Sequence, residues 1–164
     1  MISFMFPSVI ESHNEELRNV ASDLLSGMKL YDSGSGYLVG NLAFSEGLSP
    51  HKIINSSPRD LAYKLLVNAG LLMATREAKE PLTVSVGLPT STYQLYRREV
   101  AEVITRDHLF DYETSTFGGQ GKAQVKISVE RTEVIPEIIG GVIAERHGEN
   151  QRRGNFFIAI LGYG

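Results

Sequence analysis

Apolar and polar positions along this chain repeat with two periods, and the switches between them mark out short elements. Across residues 14–28 the apolar Leu17, Val20, Ala21, Leu24 and Leu25 recur at helical spacing until Ser26-Gly27 closes the pattern, which predicts a short helix. Two apolar stretches, 28–31 and 37–39, flank the turn-rich Asp32-Ser33-Gly34-Ser35-Gly36, the order expected of a β-hairpin that ends at Gly40. Ahead of them, residues 2–10 form an apolar run broken by Pro7. Proline cannot donate to a ladder, so this run reads as an edge strand or an extended entry.

Ser57-Pro58-Arg59-Asp60 has the residues of a helix start: a serine to cap free amides, a proline suited to the first turn and an acid three positions on. The stripe Leu61, Leu65, Ala69, Leu72 and Met73 then predicts one buried face on a helix reaching about Ala78. After Pro81, residues 82–88 read as a β-branched strand ended by Gly87-Leu88-Pro89, and 92–105 resume helical spacing through Tyr96, Val100, Val103 and Ile104. Residues 122–131 alternate, with Val125, Ile127 and Val129 opposite Lys126, Ser128 and Glu130, so this strand has one wetter face; Val134-Ile135 continue it. Pro136 and Glu137 open a predicted helix through Ile138, Ile139, Val142 and Ile143, which Gly148 stops. Residues 155–161 are almost wholly apolar, as in a strand buried on both faces. Strands alternating with helices late in the chain indicate an α/β fold, with the late strands as its sheet and helices 58–78, 93–105 and 137–147 packed on it.

Composition narrows the function. With 164 residues, 42% apolar and 21% charged, the chain has the make-up of one folded domain rather than a disordered tail. The absence of cysteine removes thiolate catalysis and iron–sulfur clusters, and the 4 scattered histidines, His13, His51, His108 and His147, do not rebuild a zinc site. A formal charge of −3 gives no electrostatic reason to expect direct binding to nucleic acid or to an anionic membrane. No apolar run approaches the roughly 18 residues of a membrane span, and the opening residues lack a basic n-region. The expected location is cytoplasmic.

Few residues could carry chemistry. Gly118-Gly119-Gln120-Gly121-Lys122 superficially suggests a phosphate loop, but Ala123 and a strand follow where a hydroxyl residue and a helix are needed, so a hairpin loop is expected. Asn55-Ser56-Ser57 matches a glycosylation acceptor, although a helix cap is the better use of Ser57. Asp107, His108 and Asp111 are read as solvated residues of a link between elements. Gly162-Tyr163-Gly164 follows a buried strand, where glycines let backbone amides approach a phosphate; the alternative is an ordinary tight turn. Pro136-Glu137 places an acid at a helix start beside a sheet, where a carboxylate could hold an attacking water or simply favour the helix's positive end.

Four segments taken in order add to this reading. Phe6-Pro7-Ser8-Val9-Ile10, Tyr37-Leu38-Val39-Gly40-Asn41-Leu42-Ala43, Thr83-Val84-Ser85-Val86-Gly87-Leu88-Pro89 and Val134-Ile135-Pro136-Glu137 together resemble the first domain of actin-like ATPases of the bacterial and archaeal plasmid-segregation type. In that family a "VGLP" strand ends in a turn before a helix with a basic residue, as Arg97 and Arg98 are here. A Pro-Gln or Pro-Glu pair opens the helix that carries the water-positioning residue, and a strand ending in Asp-Ile-Gly forms the second phosphate loop.

The resemblance implies a ribonuclease-H-like, actin-type α/β ATPase domain, incomplete at both ends, with the first phosphate loop and the second domain absent. Glu137 would be the catalytic residue that orients water. Gly162, Tyr163 and Gly164 would bind nucleotide, with no direct metal ligand. ATP and magnesium would be the cofactors of a full-length parent, neither binding this chain tightly, and the partners would be further copies in a filament. The sequence departs from the family pattern at Ile160, where an aspartate is expected within the apolar Phe157-Ile158-Ala159-Ile160-Leu161. A non-catalytic filament or scaffold module is therefore the alternative. A sugar or acetate kinase of the same superfold is a third reading, which no substrate-binding insertion supports.

Overall fold

The hairpin closes on a two-residue turn. Strands β2 (Met28–Asp32) and β3 (Ser35–Val39) pair from Met28↔Val39 to Asp32↔Ser35, which leaves Ser33 and Gly34 between them. Both have positive φ, 49° and 85° respectively, the left-handed pair whose twist matches that of the flanking strands. The turn is shorter than the five-residue link the sequence suggested, because Asp32 and Ser35 join the ladder.

The computed structural model describes residues 6–18, 27–53, 57–75, 81–137 and 139. They fall into two compact units, the first built from the chain up to Pro81 plus Asp107–Ser128, the second from Leu82–Arg106 plus the residues from Val129 onward.

In the first unit, β1 (Val9–Ser12) pairs antiparallel with β3 on one side and with the two-residue β4 (His51–Lys52) on the other. Of the run 2–10, read as an edge strand or an extended entry, residues 2–5 lie outside the described residues; the strand that follows Pro7 begins at Val9 and is not an edge, being paired on both sides. On the far side of the hairpin, β2 pairs with β6 (Asp107–Glu113), and β6 pairs in turn with the first part of β7 (Lys122–Pro136). The early strands therefore supply much of the sheet, contrary to the expectation that the late ones would. A 3-10 turn (Thr114–Phe117) and a glycine loop join β6 to β7, so Gly118-Gly119-Gln120-Gly121 is the hairpin loop expected of it.

Helix α2 (Leu61–Ala74) lies against β2 and β3. It buries Leu65, Ala69, Leu72 and Met73 as the stripe predicts, but Leu61 is 38% exposed. The helix starts three residues later than expected because the Asp60 carboxylate accepts from the Ser57 amide at 2.7 Å, closing a turn ahead of it. Asp60, not Ser57, is the residue before its first turn. The helix also ends earlier than expected, at Ala74. On the opposite face of the sheet, the short helix α1 (Asn41–Glu46), which the periodicity did not predict, packs Leu42 and Ala43 onto Val9 and Leu38, with Leu17 beside them. Glu11 pins the chain after α1 by accepting from the Leu48 and Ser49 amides at 2.7 and 2.9 Å. No helix is formed by residues 14–18, and Met28 lies in a strand; the rest of the helix predicted at 14–28 lies outside the described residues.

The second unit holds β5 (Leu82–Leu88), parallel to the later part of β7, with Thr83↔Arg131 running to Leu88↔Pro136. Helix α3 (Thr90–Ile104) follows β5 after Pro89 and packs back against it, burying Val100 and Ile104. Tyr96 and Val103 are only half-buried. The mixture of helices with parallel and antiparallel strands is the α/β class expected. Among the described residues no helix is long and apolar enough to cross a membrane.

Candidate functional site

The β5–β7 pair is the parallel pair of the second unit, and both of its strands stop at a proline. Pro89 follows β5 directly and Pro136 is the last residue of β7. A proline at these positions interrupts no ladder, because the strand needs no further amide there. Pro136 was expected to open a helix. It instead completes the strand opposite Leu88, and the helical conformation begins at Glu137. On the other strand, the Pro89 carbonyl accepts from the Thr92 and Tyr93 amides, each at 2.9 Å, which turns the chain at once into α3. The carboxyl ends of parallel strands are where α/β sheets take ligands, since the chains diverge there into separate helices.

Glu137 is exposed at this end. It lies close to Gly87: a Cβ built on Gly87 would stand 3.2 Å from the Glu137 Cγ and 3.8 Å from its Cα. An ionised carboxylate so placed accepts hydrogen bonds from water and donates none. Arg97 lies with its guanidinium 5.6 Å from the Tyr93 ring centroid, one turn back on α3, and Arg98 is exposed on the same helix. Lower in the pair, Arg131 and Glu133 form an exposed ion pair at 2.6 Å, and Thr105 donates to Thr132 at 2.8 Å.

Gly162, Tyr163 and Gly164, together with Ile160, lie outside the described residues, as does the predicted helix 137–147 apart from Glu137 and Ile139. Asp107, His108 and Asp111 do not sit in a link. They belong to β6, where alternation turns the two aspartates to one face and buries His108 on the other. Asp107 pairs with Lys126 and accepts from Ser128, both at 2.7 Å; Asp111 pairs with Lys122 at 2.9 Å and accepts from Gln124 at 3.1 Å. Hydrogen bonds from those lysines hold both carboxyls below their ordinary range. Among the described residues no group of three or more His, Cys, Asp or Glu could hold a metal ion. Gly87 is the residue whose part at this end of the pair the sequence reading passed over, although it sits in the quoted VGLP segment. The available signal was a glycine inside a β-branched strand, a mark of close approach by another segment.

Comparison with known proteins agrees with this architecture. The sequence model of the family described as actin-like proteins, N-terminal domain, matches residues 1–140. No curated protein matches the sequence. Among solved structures, the apo psk41 ParM protein superposes with a TM-score of 0.62 at 16% identity, covering 89% of this chain and 47% of its own. The archaeal actin homologue Ta0583 gives 0.58 at 15% identity, covering 86% of this chain and 41% of its own. The apo ParM of Bacillus thuringiensis gives 0.55 at 17% identity, covering 85% and 41% respectively. The chain thus spans less than half the length of these structures, and what they share with it is the fold.

Proposed function

The chain belongs to the family of actin-like protein N-terminal domains, and from that premise we propose that it is the first domain of an ATP-binding, filament-forming protein of plasmid segregation or cytoskeletal organisation. The observation that carries this reading is an exposed carboxylate, Glu137, at the carboxyl end of a parallel strand pair, with the neighbouring strand bare at Gly87 beneath it. The carboxyl end of a parallel pair suits a phosphate group with its attacking water.

Bound ATP with magnesium would supply the γ-phosphoryl group and neutralise its charge. Phosphoryl transfer asks little covalent chemistry of a protein and much positioning. Glu137 does the positioning: its carboxylate accepts a hydrogen bond from the water, so the water's lone pair is directed away from the carboxylate and toward the phosphorus side. Gly162, Tyr163 and Gly164 would offer backbone amides to phosphate oxygens, and magnesium would be held largely through water. The protein works in the cytoplasm by self-association, without direct contact to nucleic acid.

A non-catalytic filament module is a second reading, favoured by Ile160 at the position where the family resemblance calls for an acid. Steady-state ATP hydrolysis by the full-length protein, wild type and Glu137→Ala, separates the two. Water positioning acts in the transition state, so the variant should lose roughly 10²-fold or more in kcat with nucleotide affinity and assembly retained. A wild-type rate in Glu137→Ala would reduce Glu137 to a favourable charge at a helix end. Nucleotide-free assembly of a wild type that does not hydrolyse ATP would favour the scaffold.

A further inference from the structure

We propose that Gly87 is a positioning residue for Glu137: the missing side chain at 87 is what allows the glutamate to lie over the end of β5. The proposal rests on the reading of Glu137 as the water-orienting group and names what holds it in place.

Backbone conformation does not explain the glycine. Gly87 is absent from the residues with positive φ, and it sits within a strand, Leu-Thr-Val-Ser-Val-Gly-Leu, where glycine is a poor former and valine or threonine a good one. Space explains it. Among the described residues, and apart from its chain neighbours, the atoms within 4 Å of a Cβ built at 87 are the Cγ and Cα of Glu137. The shorter distance, 3.2 Å, is inside the roughly 3.5–4.0 Å at which two carbons attract best. By contrast, a Cβ at Gly34, Gly70, Gly118 or Gly121 would meet nothing within 4 Å among the described residues.

The strand register accounts for this meeting. Gly87 stands beside Ile135 in the parallel ladder, and Glu137 follows two residues later, one position past the end of β7, where its Cγ and Cα face the space over Gly87. A methyl group at 87 therefore asks the Glu137 Cγ to give by a few tenths of an ångström, and a shift applied near the root of the side chain is larger at the carboxylate. The carboxylate is the part that orients water. Catalysis by positioning is sensitive on this scale, where a displacement of about 1 Å costs on the order of 10²-fold in rate.

The test uses the full-length protein as wild type, Gly87→Ala, Gly87→Val, Glu137→Ala and the double variant Gly87→Ala/Glu137→Ala. Gly87→Ala should lower kcat about 10-fold and Gly87→Val further, with KM for ATP unchanged. The double variant should be no slower than Glu137→Ala alone, since Gly87 acts through that side chain. A readout without nucleotide accompanies the rates: the side-chain carboxyl ¹³C resonance of Glu137, identified by its loss in Glu137→Ala, should move in Gly87→Ala and stay in place in Ser85→Ala. A wild-type kcat in Gly87→Ala with a slow Glu137→Ala overturns this proposal and leaves the reading of Glu137 standing. A wild-type kcat in Glu137→Ala overturns both. An additional loss in the double variant, or a thermal midpoint lowered by more than about 5 °C in Gly87→Ala, assigns the glycine to strand packing and also overturns the proposal.

Discussion

Leu38 and Leu109 are the same residue on the same face of the same sheet, yet their environments are opposite, and that contrast is a direct test of how the first unit is held together. The shared face follows from the register: Leu38 pairs with Lys29, Tyr31 pairs with Asp111, and Leu109 lies two residues from Asp111. Leu38 is 0% exposed beneath Leu42 and Ala43 of α1, with Val9 and Leu17 beside it, whereas Leu109 is 63% exposed. Truncating Leu38 to alanine removes the transfer energy of a fully buried leucine and leaves a cavity, about 3–4 kcal/mol together. Truncating Leu109 removes little that folding had taken out of water, within about 0.5 kcal/mol. For a chain of this length each kcal/mol is worth roughly 2–4 °C, so Leu38→Ala should melt roughly 6–16 °C below wild type. The sequence has 0 tryptophans, so far-ultraviolet circular dichroism during urea unfolding is the suitable probe. The midpoint should fall with an unchanged slope. Equal losses in the two variants, or a loss under about 1 kcal/mol in Leu38→Ala, would refute the packing of α1 on this face.

Four further outcomes follow from other parts of the molecule. Gly34 has a φ of +85° and, among the described residues, nothing within 4 Å of an added Cβ, so Gly34→Ala should cost about 1–2 kcal/mol from conformation alone, while Ser33→Asn should gain about 0.5 kcal/mol by suiting the left-handed turn; urea midpoints measure both. Burial, then Glu113, raises the Tyr31 hydroxyl above its ordinary 10.0, so its contribution is whole below pH 10 and is lost as pH climbs through the folded value; Tyr31→Phe should lack that alkaline loss in melts from pH 9 to 11. Burial lowers Lys29 from 10.5, against Glu113 and Glu16, which gives the opposite sign: stability rises as pH climbs through the lowered value toward 10.5, and Lys29→Met should abolish that rise. The hydrogen bond from Lys126 keeps the Asp107 carboxyl below 3.8, a contribution present above that pH and lost as pH falls through the folded value; Lys126→Met should raise the Asp107 titration toward the ordinary value in a carboxyl NMR titration.

What could be read in advance was what local chemistry decides. Ser33-Gly34 specifies a hairpin because few residue pairs tolerate two positive φ values, and the alternation from Lys122 to Glu130 specifies a strand because its faces meet different solvents. Glu137 could be picked out because a proline precedes it and the chain must change conformation there. Strand β6 was missed for a physical reason: its outward positions are Asp107, Leu109, Asp111 and Glu113, and its inward ones begin with a histidine, so the acids that pair across to Lys126 and Lys122 made a strand look like a polar link. The charges are balanced by a neighbouring strand, and that neighbour is fixed only by pairing.

Helix α1 was missed on the same principle. Six residues are too few to show a helical period, and Leu42 and Ala43 are held by Val9 and Leu38 on other elements rather than by their own propensity. The limit of local reading is sharpest at Gly87. Within its strand it is a weak residue with no conformational need, and residues 82–88 alone mark a close approach without saying which segment makes it. Its purpose appears only when β7 is laid beside β5 and Glu137, fifty positions later in the chain, is found where a side chain would have been. A glycine of that kind is a long-range contact written as an absence, legible only once the paired strand is in place.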